Sequence, residues 1–309
     1  MGRKTRIVLV STAALAVVLA VAWSWLTARE TLPTESSYRI DVGALRALAA
    51  SLPGPGPREI RSVLVAEVAL PRGVIFAGEP FEPHRQVHQV FQLVWPDRTL
   101  LIDSAFPPED FAKIDANGGG GGTYHAGGWA ALERALPRAE QVVVTHEHYD
   151  HLAGAGTLEP EQAPRLRLNP AQLANTKALD DAEISAALRA QLQPLSDEPA
   201  LAIAPGVVLQ AAPGHTPGSQ LVYVRREDGR EALFLGDVAW DQDQITNLHY
   251  RPRLVTLLIG EDRAQVMDQL RALHDLAAAE PGLVQIVSHD ESQRSALVTS
   301  GVLTEGLAE

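Results

Sequence analysis

One heptapeptide constrains this chain more than any other feature: Thr145-His146-Glu147-His148-Tyr149-Asp150-His151, set directly after the apolar run Gln141-Val142-Val143-Val144. A short apolar run of that kind reads as a buried strand. In extended backbone the side chains of residues i and i+2 point the same way, so His146 and His148 can reach one ion together. Asp150 and His151, where the chain leaves the strand, project differently and can serve a second ion a few ångströms away, the separation that two-metal hydrolases use. A polar surface loop with incidental histidines is a poor account of this stretch, because three of the chain's 10 histidines fall inside it. There is no cysteine, so a metal has to be held by imidazole and carboxylate groups alone.

The H-x-H-x-D-H spacing is the signature of the metallo-β-lactamase superfamily, and the chain resembles that family at further points in the expected order. Leu100-Leu101-Ile102-Asp103 matches an early strand ending in Asp, and Pro213-Gly214-His215-Thr216-Pro217-Gly218 matches a tight turn that aims a third histidine. Phe234-Leu235-Gly236-Asp237 matches a strand followed by a bridging Asp, and Ile286-Val287-Ser288-His289 a last histidine after a C-terminal strand. The resemblance implies that His146, His148 and His215 hold a first metal, that Asp150, His151 and His289 hold a second, and that Asp237 bridges them. Asp103 is then a buried carboxylate behind the ligands. Two zinc ions are the expected cofactor for so imidazole-rich a set, and iron or manganese also fit the ligand types. The implied activity is hydrolysis by a hydroxide made available between the ions, with Asp150 as the catalytic carboxylate that orients it and carries a proton toward the leaving group.

Departures from particular branches of the family bear on the substrate. The best-known zinc β-lactamases have Cys or no carboxylate where this chain has Asp237, which points away from antibiotics and toward a small ester, lactone, thioester or similar molecule. Acyl-homoserine lactonases share every ligand but place a catalytic Tyr three residues after the bridging Asp; here that residue is Trp240, whose indole N–H is a donor only. Persulfide dioxygenases keep the signature with a single iron and define an oxidoreductase alternative, beside the lactonase alternative. Tyr124 and His125, next to the glycine run 118–122, together with Trp240 and Tyr250, are candidates to line the substrate pocket. His84 and His88 read as ordinary surface or sheet residues, and His274 as a helix-face residue.

Around these motifs the pattern is α/β. Strands are expected at 62–70, 88–95, 99–103, 141–144, 206–211, 221–225, 231–235 and 283–288, and helices at 129–136, over most of 170–192, and at 262–279. Two β-rich halves with helices outside, like the resemblance, predict a four-layer αββα sandwich over residues 61–309. Residues 29–60 are Pro- and Gly-rich and read as a tether with one short helix at 42–50 capped by Asp41. Residues 1–28 read as a membrane anchor or signal segment: the 20-residue apolar run 7–26 follows Arg3, Lys4 and Arg6, which places the catalytic domain outside the cytoplasm, anchored or, after cleavage, secreted. The formal net charge is -12, which disfavours nucleic acid as a partner; the expected partners are a small-molecule substrate and the membrane.

Overall fold

The computed structural model describes the backbone of residues 3–308 and the side chains from residue 11 onward, apart from 117 and 118. In chain order the strands are β1 (Glu59–Pro71), β2 (Pro83–Val94), β3 (Thr99–Ile102), β4 (Thr123–Tyr124), β5 (Gln141–Val143), β6 (Leu166–Arg167), β7 (Ala200–Ala204), β8 (Val207–Ala211), β9 (Gln220–Arg225), β10 (Glu231–Phe234), β11 (Leu283–Ile286) and β12 (Thr304–Glu305). They form two sheets. One runs β12-β1-β2-β3-β5-β6 with β4 added to β1, and the other runs β11-β10-β9-β8-β7.

The sheets pack face to face because each turns an apolar side inward. Phe91, Leu93, Ile102 and Val143 of the first meet Leu209, Val222, Val224, Phe234 and Ile286 of the second. On the outer side of the first sheet, Val63, Leu101 and Val142 are covered by Trp129 and Leu132 of the helix Ala126–Ala135. On the outer side of the second, Val208, Tyr223 and Leu233 are covered by Val266, Leu270 and Leu273 of the helix Arg263–Ala279, which starts where the Asp262 carboxylate accepts from the Ala264 and Gln265 amides. Helices, sheet, sheet and helices therefore follow one another as four layers. The stretch 170–192 is helical only in short pieces, Pro170–Ala174, Thr176–Asp181 and Ala186–Arg189, because Asn175 and Ser185 each cap a new helix start and Glu183 takes a positive φ of 54°.

The N-terminal expectations change. Helix α1 (Arg3–Thr27) forms, but among the described residues no helix is long and apolar enough to cross a membrane. That finding overturns the expected membrane anchor and, with it, the expected placement of the catalytic domain outside the cytoplasm; the side chains of Arg3, Lys4, Arg6 and of the first apolar residues of the run lie outside the described residues. The stretch after it is bound to the domain rather than loose. Helix α2 (Val42–Ala49), capped by Asp41 as the sequence predicts, buries Val42, Leu45 and Ala49 on the second sheet's helical layer. Arg46 pairs with Glu231 at 2.6 Å and Glu280 at 2.9 Å. Ser37 donates to Asp268 at 2.7 Å, and Tyr38 to the Ala211 carbonyl at 2.7 Å.

The site's location follows from strand direction. β3 and β5 are parallel neighbours, as are β10 and β11, so the segments leaving their C-terminal ends emerge on one edge of the sandwich. The Gln220 amide donates to the Thr145 carbonyl, and the Val87 amide to the His289 carbonyl, which ties the two sheets together along that edge.

Candidate metal centre

His146 follows β5 directly, and His148 is the last extended residue (ψ 153°) before the short helix Tyr149–Leu152. Asp150 and His151 thus sit in a first helical turn and face away from the strand's alternation, as expected from the spacing. Glu147 turns elsewhere: fully buried, it accepts from Thr216 Oγ1 at 2.6 Å and so pins the loop that carries His215. Asp237 reaches the centre because Gly236 (φ 52°) passes close to Thr145; a Cβ there would lie 2.7 Å from the Thr145 Cβ, a clash that only glycine avoids at this φ.

His146, His148 and His215 form one group of donors whose atoms lie within 4.8 Å of one another. His148 Nδ1 is 2.9 Å from His215 Nε2. The other His215 nitrogen, Nδ1, is 2.7 Å from Glu261 Oε2, an arrangement that fixes which ring nitrogen is left for a metal. Glu261 is held in turn by the fully buried Arg251 at 3.1 Å, whose guanidinium also donates to the Asp237 carbonyl at 2.8 Å, and by the Tyr250 hydroxyl. Burial keeps the His146 imidazole far below the usual histidine range, and burial with His215 alongside lowers His148 to about 4. Both are neutral rings at neutral pH, the form that binds a metal.

The second group is built differently. His151 Nδ1 is 2.9 Å from Asp103 Oδ2, and His289 Nδ1 donates to the Val87 carbonyl at 2.8 Å. Their Nε2 atoms are left 3.3 and 3.0 Å from Asp237 Oδ1. The other Asp237 oxygen, Oδ2, lies 3.4 Å from His215 Nε2 and 3.8 Å from His146 Nε2, so one carboxylate divides its two atoms between the two groups. Asp150 Oδ2 is 3.5 Å from His151 and 3.7 Å from His289. Burial alone would raise the Asp237 and Asp150 carboxyls, but the surrounding imidazoles hold both well below the usual carboxylate range. Conversely burial lowers His151 and His289, and the carboxylates outweigh it to raise both.

Asp103 stands behind both ends of the heptapeptide. It accepts from the Thr145 amide at 2.7 Å and holds the His151 ring. Its backbone is left-handed (φ 65°), strain of the kind that collects at functional sites. The atoms His146 Nε2, His151 Nε2 and Asp237 Oδ1 are buried with no hydrogen-bond partner. Such a set costs several kcal/mol in an apolar interior unless something cationic satisfies it, so these residues fit divalent metal ions.

The site opens on one side only. His151 and Asp237 have side chains 4% and 5% exposed, whereas Asp150 is 24% exposed, and His148 and Trp240 are also partly exposed. Trp240 stands 6.4 Å from the His215 ring with the Arg251 guanidinium 4.2 Å over its face, as a wall beside the opening. Tyr250 is 1% exposed and reaches the centre only through Glu261, from behind His215. Tyr124 donates to the Phe106 carbonyl at 3.1 Å, and His125 pairs with Glu67 at 2.9 Å; neither bond turns toward the donors. Sequence reasoning missed three participants, Glu261, Arg251 and His88. Far from being an ordinary sheet residue, His88 on β2 is buried with Nδ1 3.4 Å from Asp150 Oδ2.

A family profile for the metallo-beta-lactamase superfamily matches residues 88–297. No curated protein sequence matches the chain. Solved structures share its fold. AiiA of B. thuringiensis, solved as a mutant with N-decanoyl-L-homoserine at its active site, is 15% identical over 78% of this chain and 96% of its own, with a TM-score of 0.62. AidC, described as a dizinc quorum-quenching lactonase, is 13% identical over 77% and 90%, with a TM-score of 0.55. A probable metal-dependent hydrolase from Staphylococcus aureus is 16% identical over 77% and 91%, with a TM-score of 0.59. The chain belongs to the metallo-beta-lactamase superfamily.

Proposed function

We propose that the protein is a dinuclear zinc hydrolase acting on a small ester, lactone or thioester. The observation that carries this reading is the divided Asp237 carboxylate, one oxygen facing His146 and His215 and the other facing His151 and His289. In this reading His146, His148 and His215 would hold one ion and Asp150, His151 and His289 the other, with the Asp237 carboxylate available to both. Bound there, two divalent ions supply Lewis acidity and bring the pKa of a water near neutrality.

The chain's own groups do the rest. Asp150, on the open side of the donor set, accepts the proton of the attacking water and returns it to the leaving alkoxide or thiolate. Glu261 and Asp103 hold His215 and His151 in the tautomers that leave Nε2 free. Trp240 forms an apolar wall where an acyl chain or ring can lie. The lactonases that share the fold favour a lactone as the first substrate to test, with Trp240 in place of their Tyr marking a different leaving-group environment.

The test is elemental analysis joined to turnover. Purified full-length chain loaded with zinc is expected to hold close to two equivalents and to hydrolyse at least one member of a panel of aryl esters, lactones and thioesters. A firm single equivalent with iron preferred, together with oxygen consumption, would favour the oxidoreductase reading instead.

A further inference from the structure

We propose that His88 is an additional ligand of the second metal position, through Nδ1. This rests on the two-ion reading above and deepens it. His88 lies in the middle of β2, opposite Ala66 of β1, outside the five motifs that carry the family resemblance. Its side chain is only 8% exposed, and the ring is wedged edge-on between Phe106 and His289, with centroids 5.1 and 5.0 Å away. That packing points Nδ1 at Asp150 Oδ2, 3.4 Å off, while His289 Nε2 lies 3.7 Å from the same oxygen.

Two features separate a ligand from a packed sheet histidine. The first is satisfaction. Among the described residues, the buried ring nitrogens of histidine with no hydrogen-bond partner are His88 Nδ1, His146 Nε2 and His151 Nε2; the latter two belong to the metal set already derived, and His88 shares their condition. A histidine buried for structure alone finds a partner, as His249 Nε2 does in the Ala77 carbonyl at 2.8 Å. The second is spacing. His88, Asp150 and His289 offer donor atoms that all lie within 4.8 Å of one another, and the 3.4 and 3.7 Å separations resemble the edges of a coordination shell whose metal–ligand bonds are about 2.0–2.2 Å. The same strand thus supplies the Val87 carbonyl that orients one ligand and the neighbouring side chain that adds another.

With His88 the second position has three imidazoles and two carboxylates, against three imidazoles and the shared carboxylate at the first. More donors than a tetrahedral ion uses suit an ion that accepts five or six, so the second position is expected to take cobalt, manganese or iron as readily as zinc.

The test compares the full-length chain with His88→Phe, which keeps the ring packing, and His88→Gln, which keeps a polar group beside Asp150. Zinc titration of the metal-free proteins reads the second equivalent, and proton NMR of the cobalt-loaded proteins reads the paramagnetically shifted imidazole N–H signals. The expected result is a second equivalent weakened at least about 10- to 100-fold in both variants, with the first unchanged and one shifted imidazole signal lost. An unchanged set of shifted signals overturns the ligand assignment while two equivalents in the unaltered chain leave the two-ion reading standing, whatever the affinities do. A single equivalent in the unaltered chain overturns both. Circular dichroism of the variants separates loss of metal from loss of fold, and the signals of the unaltered chain, which are expected to include His88, do not depend on either variant folding.

Discussion

The two halves of the metal centre are built on opposite electrostatic plans. Around the first position burial depresses the His146 and His148 rings, and His215 is buttressed from behind by a single chain of groups, Glu261, Arg251 and Tyr250. Around His151 and His289 the donors are interleaved with carboxylates: Asp150 and Asp237 raise both imidazoles against the effect of burial, and Asp103 adds to the effect on His151. The first half brings His148 and His215 nitrogens to 2.9 Å, with Glu261 behind His215 and one oxygen of Asp237 beside it. The difference teaches that the first position is shaped by burial and one buttressing chain of groups, whereas the second is shaped by carboxylates set among its imidazoles.

The largest expected effect comes from the residue both halves share. Asp237→Ala should lower metal content from near two equivalents to below one and cut turnover by at least about a thousandfold, or roughly 4 kcal/mol of transition-state stabilisation. Elemental analysis and a kcat/KM on the best panel substrate check it; retention of both ions would mean that the halves are independent. Asp150→Asn is expected to keep more metal than any histidine variant, because the amide still presents an oxygen, yet to lose about 10²- to 10⁴-fold in kcat because it cannot take a proton. Full activity in that variant would remove Asp150 from proton transfer.

A finer contrast uses the groups behind the ligands. Glu261→Gln should weaken the first ion about 10- to 100-fold and leave the second, while Asp103→Asn should do the reverse. Stepwise zinc titration reads both constants, and equal losses at both positions in each variant would break the division into halves.

The smallest effect, in the metal-free protein, is on pH dependence. His148 titrates near 4 when folded against an ordinary value of 6.5, so between those values only the unfolded chain binds its proton and stability falls as pH is lowered. His151 and His289 are raised above 6.5; their contribution is full below that value and is lost as pH rises through the raised ones. His148→Gln should therefore flatten the acid limb of a denaturation-midpoint curve, and His289→Gln the alkaline limb. The same limb responding to both would contradict the opposite plans.

Where a residue's role is fixed by its neighbours along the chain, it was legible in the sequence. The heptapeptide after β5 announces its donors because strand alternation and a helical first turn are local properties, and Asp41 and Asp262 announce their helices because capping needs only the next few amides. Asp103, His215, Asp237 and His289 were found by resemblance, and the tertiary structure brings all four to one edge, since parallel strands end together. The rest only the tertiary structure decided. Glu261 lies 46 residues from His215 and carries no spacing signal. Arg251 reads as one more surface cation until the fold buries it completely. Burial along β2 is continuous from Gln86 to Leu93, so a period of two assigns His88 to neither face. Composition made 29–60 read as a tether, yet Arg46, Ser37 and Tyr38 find partners in Glu231, Asp268 and Ala211, all more than 170 residues away. Long-range contacts of this kind depend on where the two sheets close on each other, and no local pattern of residues carries that information.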